Sequence, residues 1–114
     1  MFIADAHCDT LYKMTIEKRA LEDCKVAPAR MEKGGLCLQT YAMFVGAKGP
    51  AGTPYEDGKR MLAMSEHLGV EILRGALPDA FPEKPTGVLL GGVKQHIHRN
   101  TFYFGNFFGG VFYL

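Results

Sequence analysis

The chain lacks most of the features that sort a protein by composition alone. It has no excess charge of one sign: 13 Lys and Arg stand against 12 Asp and Glu, a formal net charge of +1. Such a balance creates no field that would recruit nucleic acid or an anionic membrane. It has no apolar run near the length needed to span a bilayer. Met1-Phe2-Ile3-Ala4-Asp5 supplies neither a basic segment nor the apolar stretch of a secretory signal, so the expected location is cytoplasmic, with no membrane partner. It also lacks C-x-x-C spacing. Cys8, Cys24 and Cys37 are an odd number, which argues against a disulfide framework and fits a reducing compartment. Each is expected to pack as a small buried hydrophobe. At 114 residues the chain suffices for one modest core.

What is present concentrates near the beginning. Ile3-Ala4-Asp5-Ala6-His7-Cys8-Asp9-Thr10 reads as a buried β-strand running into a histidine and two carboxylates. Strand side chains alternate faces, so Asp5, His7 and Asp9 are expected on one side and Cys8 on the other. Same-face neighbours stand about 7 Å apart along the backbone, near enough for His7 and Asp9 to converge on one cation. An imidazole nitrogen with a carboxylate oxygen suits zinc or a similar divalent metal. A second reading stands beside this one: Asp9 or Thr10 as a helix N-cap, and His7 as a hydrogen-bonded histidine at a strand end.

The order of elements points to a parallel α/β arrangement. Residues 2–7 form the first strand and 10–23 a helix with an imperfect apolar stripe. Pro28 and Gly34-Gly35 mark a loop with one helical turn. Leu36 to Val45, nearly all apolar and bounded by glycines, is a strand buried on both faces. Gln39 is its polar exception, expected to bond a neighbouring backbone group. After the loop 46–52, Thr53, Pro54 and Glu56 form a capping box. Met61, Leu62, Ser65 and Leu68 then recur at helical spacing, and Gly69 ends that helix. Val70 to Leu73 is a short strand or helix extension, and Thr86 to Val93 reads as a third buried strand.

The last sixteen residues differ. Arg99 to Leu114 hold seven of the thirteen aromatics and no charge after Arg99. That composition is aggregation-prone when exposed, and it lacks the interleaved basic residues of a nucleic-acid stacking surface. The division expected is a domain over 1–95 and an atypical tail over 96–114.

With these elements placed, the chain resembles the amino-terminal part of the membrane dipeptidase family. The resemblance rests on Asp5-Ala6-His7-Cys8-Asp9-Thr10-Leu11, then on Gly34-Gly35-Leu36-Cys37-Leu38-Gln39 leading to Ala42-Met43-Phe44-Val45. It covers roughly residues 1–75 and extends more weakly to Leu90. It implies about three strands of a (β/α)₈ barrel, two zinc ions in the complete site, and dipeptides as substrates. It also implies His7 and Asp9 as metal ligands and Asp5 as a supporting acid, while no residue of this chain is implied as a catalytic group beyond the metal ligands. Two departures matter. The family's bridging glutamate before a glycine pair is missing from Leu89-Leu90-Gly91-Gly92-Val93. The strands bearing further metal histidines belong to a barrel of about 250 residues, and this chain stops before them. His96 and His98 lie outside the resembling region and are expected to be solvent-exposed. The leading expectation is therefore a zinc-dependent dipeptidase segment, inactive alone. The alternative is a non-catalytic partial barrel that self-associates through its aromatic tail. Other metal hydrolases are less favoured, since they more often carry H-x-H where this chain has Asp5 and His7.

Overall fold

Alternation of apolar strands with helices produces a parallel sheet with helices on one face. The computed structural model describes residues 2–44, 54–74, 79–80, 82–91, 95–97 and 100–102. In chain order the elements are β1 (Ile3–Cys8), α1 (Thr10–Thr15), α2 (Pro28–Gly34), β2 (Leu36–Met43), α3 (Pro54–Met64), β3 (Glu71–Ile72), β4 (Thr86–Gly91), β5 (Gln95–Ile97) and β6 (Asn100–Phe102). Single 3₁₀ turns occupy Leu21–Asp23 and Ser65–His67. Four strands form one sheet in the order β1-β2-β4-β3, every pair parallel. The three longer strands thus lie side by side in chain order, with the two-residue β3 outside β4. Strands β5 and β6 form a separate antiparallel pair.

The core lies between the sheet and its helices. Leu11 and Met14 of α1, Met31 of α2 and Met61 of α3 pack with Tyr41, Met43 and Leu89 of the sheet. Gln39, Tyr41 and Met43 alternate onto this face of β2. Leu38, Thr40 and Ala42 take the other face beside Thr86, Val88 and Leu90. Ala42 and Val88 are buried there and Leu38 and Leu90 half-buried, so β2 and β4 carry apolar residues on both sides, as the largely apolar run of Leu36 to Met43 implies.

Three expectations need correction. The first strand is not buried: Ala4 to His7 are exposed, because β1 is the sheet's edge and pairs only with β2 among the described residues. The helix expected over 10–23 stops at Thr15. Lys18 adopts a left-handed conformation (φ 57°), its ammonium caps the Thr15 carbonyl at 2.7 Å, and the Arg19 amide turns back to the Lys13 carbonyl. A cation on the last carbonyls terminates the helix favourably. The segment read as a loop with one turn is instead α2, with proline in its first turn and Gly35 closing it at φ 70°, a pattern that favours a helix.

Elsewhere the periodicity holds. Helix α3 continues into the 3₁₀ turn at Ser65, Met61 and Leu68 are buried, and Gly69 has φ 70°. The Thr53 cap, Val45, the loop 46–52, Gly92, Val93, the side chains of His96 and His98, and the aromatic tail beyond Phe102 lie outside the described residues. Among the described residues, no helix is long and apolar enough to cross a membrane.

The adjacent glycines of α2 should respond oppositely to alanine. A Cβ on Gly34 meets nothing within 4 Å, so Gly34→Ala raises stability by about 0.5 kcal/mol through the unfolded chain's lost freedom. Gly35 has φ +70° with only Ile3 Cδ1 at 4.0 Å, so Gly35→Ala costs about 1 kcal/mol from backbone strain alone. Paired urea melts check the opposite signs.

Candidate metal centre

In a parallel sheet every strand delivers its carboxyl end to the same edge, where α/β proteins bind ligands. Strand β1 ends at Cys8, and the chain turns at once into α1. That turn is held from below. The Thr10 hydroxyl donates to the Val26 carbonyl at 3.0 Å, and the Cys8 thiol lies 3.6 Å from the Thr10 oxygen. Cys8 is buried, and loss of hydration, the largest cause, pushes its thiol pKa up. It is therefore an inert packing group rather than a nucleophile, as is Cys24, buried and shifted upward for the same reason.

Above the turn, His7 Nε2 and Asp9 Oδ1 stand 2.9 Å apart. Their side chains are 62% and 50% exposed, so the pair opens to solvent. Asp9 occupies the N-cap position of α1, yet its side chain makes no capping hydrogen bond. Its carboxylate is turned to the imidazole instead. Of the second reading, the N-cap position of Asp9 and the hydrogen-bonded His7 at the strand end both hold, while the capping hydrogen bond is not made.

Asp5 does not join them. Asp5 pairs with Gln39 along the β1–β2 ladder and Cys8 with Tyr41, so that Ala6 and His7 are opposed by Thr40 alone. This bulge resets the alternation: Asp5 and Cys8 come to the side of Gln39 and Tyr41, while His7 takes the other. The expectation that Asp5, His7 and Asp9 share a face is therefore corrected to His7 and Asp9 alone. The Asp5 carboxylate instead accepts a hydrogen bond from Gln39 Nε2 at 2.8 Å, and the same amide nitrogen donates to the Thr40 carbonyl at 2.9 Å. Gln39 is fully buried, and its backbone partner was anticipated. Its carboxylate partner was not, because a bulge between Ala- and His-flanked positions leaves no mark in the sequence.

No group of three or more His, Cys, Asp or Glu side chains gathers around a point among the described residues. Among the described residues, the donor set at this edge is the His7 imidazole and the Asp9 carboxylate. Phe44, 60% exposed, adds an apolar surface at the same edge, its ring 6.0 Å from that of Tyr12. Two clefts open at the opposite edge, around Glu71, Lys84 and Thr86. They lie at the amino ends of β3 and β4, and among the described residues their side chains form no metal-ligating cluster. No family model, no curated protein and no solved structure matches this chain.

Proposed function

We propose that the chain is the amino-terminal portion of a zinc-dependent dipeptidase built as a (β/α)₈ barrel, and that His7 and Asp9 are two ligands of its metal centre. The observation that carries this is the convergence of His7 Nε2 and Asp9 Oδ1 to 2.9 Å at the carboxyl edge of a parallel sheet. The pair fits zinc in donor type. Two ligands about 2.0 Å from a tetrahedral zinc stand about 3.3 Å apart, so little rearrangement separates the hydrogen-bonded pair from a ligating one. Binding requires an imidazole nitrogen free of its proton, and the Asp9 carboxylate beside it supplies the negative charge that favours a cation. When bound, zinc would polarise a peptide carbonyl and acidify a water.

This chain's residues do the rest of the positioning. The Thr10–Val26 bond fixes the turn that carries Asp9. Phe44 offers an apolar contact for a dipeptide side chain. Apolar residues on both faces of β2 and β4 suit a sheet that continues into a barrel with a filled interior. Two ligands fall short of the three protein donors a catalytic zinc needs, so the isolated chain is inactive in this reading.

Leu90 provides the test. It sits at the end of β4 on the sheet face opposite Tyr41, the face that the bulge gives to His7. A chimera in which residues 1–91 replace the first three strand–helix units of a complete dipeptidase, with Leu90→Glu restoring the missing carboxylate, is expected to hydrolyse dipeptides. Adding His7→Ala is expected to lower kcat/KM by more than about 100-fold, since a lost ligand costs at least as much as a lost supporting partner. A folded chimera that binds no zinc, or one indifferent to His7→Ala, would exclude the reading.

A further inference from the structure

Among the described residues, the exposed middle of β1 is tied to the sheet by one side-chain hydrogen bond, from Gln39 to Asp5. That bond stands directly before the residues that carry the metal pair. We propose that Gln39 is a positioning residue for His7: its amide clamps the Asp5 carboxylate, fixes the register of β1 on β2, and so decides the face on which His7 stands. The register stands independently of any metal, whereas its consequence for zinc rests on the metal-pair reading above.

The β1–β2 ladder is broken twice. Ile3 pairs with Leu36 and Ala4 with Leu38, so Cys37 is an extra residue on β2, and Ala6 and His7 together oppose Thr40. Between the two irregularities lies a single regular step, Ala4 and Asp5 against Leu38 and Gln39. Burial does not hold that step, since Ala4 to His7 are all exposed.

Gln39 can hold it. The side chain is fully buried, where an amide without hydrogen bonds is costly, and its partner on β4 is Gly87, which has no side chain to offer. Nε2 turns to β1 instead, donating to Asp5 Oδ2 at 2.8 Å and to the Thr40 carbonyl at 2.9 Å. Oε1 has no hydrogen-bond partner among the described residues, so the amide is oriented from its nitrogen end. A hydrogen bond to a carboxylate is also stronger than one between neutral groups. On the far side of the bulge Cys8 is buried and opposite Tyr41. With Asp5 and Cys8 both fixed, two residues must span the place of one, and the bulge carries His7 to the face away from the helices. Releasing Asp5 frees the upstream end, and His7 loses its fixed approach to Asp9.

The experiment is NMR of the full chain, reading amide exchange at Ala4 to His7 and the His7 ring signals during titration with zinc chloride. Gln39→Leu removes the clamp from the buried side. Asp5→Ala removes it from the exposed side, where the fold has nothing to lose by burial. Each should speed exchange at Ala4 to His7 by at least about tenfold relative to Leu36 to Met43. Each should also weaken zinc binding by the folded chain about tenfold. Asp5→Asn removes the charge but keeps a carbonyl acceptor for Nε2, so it should stay within about threefold of the parent in both readouts. Unchanged exchange in Asp5→Ala would overturn the clamp, even if the thermal midpoint fell. Equal losses in Asp5→Asn and Asp5→Ala would overturn the hydrogen bond as the cause. Faster exchange with unchanged zinc binding would overturn the positioning role. A parent chain whose His7 signals ignore zinc would overturn the metal-pair reading, and exchange would still decide the clamp.

Discussion

Tyr41→Ala is expected to lower the stability of the fold by about 4 kcal/mol, the cost of emptying an aromatic site in a core. Tyr41 is fully buried at the centre of β2, in the cluster that includes Leu11 of α1, Met31 of α2, Met61 of α3 and Leu89 of β4. No neighbour can collapse into the space without abandoning another contact, because the cluster joins three helices to the sheet. A domain of this size has only about 5–15 kcal/mol in total, so the variant approaches the limit of folding. Tyr41→Phe separates ring from hydroxyl. The phenol donates to Met31 Sδ at 3.2 Å, a weak acceptor, and its removal should cost about 1 kcal/mol or less. Urea melts of the two variants, read as midpoints at constant slope, give the comparison. The same residue sets an alkaline limit. Desolvation first, and Cys8 second, push the phenol above its ordinary range, so the folded state keeps its proton after the unfolded chain has lost it. The stability this contributes is complete below about pH 10 and declines as pH rises further. Tyr41→Phe should flatten that decline.

The sequence displayed the strand-and-helix order well and the edges poorly. Leu36 to Met43 announced itself because β2 lies between β1 and β4 and carries apolar side chains on both faces, Gln39 and Thr40 being its polar positions. Helix α3 was legible through Pro54 and the recurrence of Met61, Ser65 and Leu68, since a helix on one face of a sheet needs one stripe. Strand β1 looked apolar at Phe2 to Ala6 apart from Asp5, but alanines do not reveal whether a strand is central or marginal. Sheet order, which made it an edge, is a property of the whole fold. The break after Thr15 was hidden because Lys18 took the left-handed position that glycine usually marks. Met31 and the Pro28–Gly35 bracket carried the signal for α2, but a seven-residue helix leaves only one buried position to read. At the candidate site, H-x-D placed His7 and Asp9 within reach of each other, and their 2.9 Å contact is common to a metal pair and to a hydrogen-bonded histidine at a strand end. D-x-H did not report on Asp5, since the bulge that turned it to Gln39 depends on the register against β2.

Gly87→Ala is the other substitution with a large expected effect, about 2 kcal/mol of lost stability through overpacking. Gly87 lies on β4 opposite Gln39 of β2 and Ile72 of β3, on the helix-covered face. A Cβ there would stand 2.7 Å from Ile72 Cδ1 and 2.8 Å from Tyr41 Cε2, both well inside van der Waals contact. The two clashes differ in how they can be relieved. Cδ1 is the far end of a half-buried side chain near the sheet's outer edge, and it can swing away. The Tyr41 ring is fully buried, its hydroxyl tied to the Met31 sulfur, and it has little room to move. Ile72→Val removes the first contact and leaves the second, so the double variant should recover less than half of the loss, with a coupling of about 0.5–1 kcal/mol between the sites. Full recovery would show that the Tyr41 ring is free to shift. Under the proposed metal-pair reading, zinc affinity gives an independent readout. His7 lies on the opposite sheet face and one strand beyond β2, so Gly87→Ala should lower the thermal midpoint while leaving metal binding by the folded fraction unchanged. A parallel loss of zinc affinity in the folded variant would mean that the Tyr41–Cys8 side of the sheet sets the turn that brings His7 and Asp9 together.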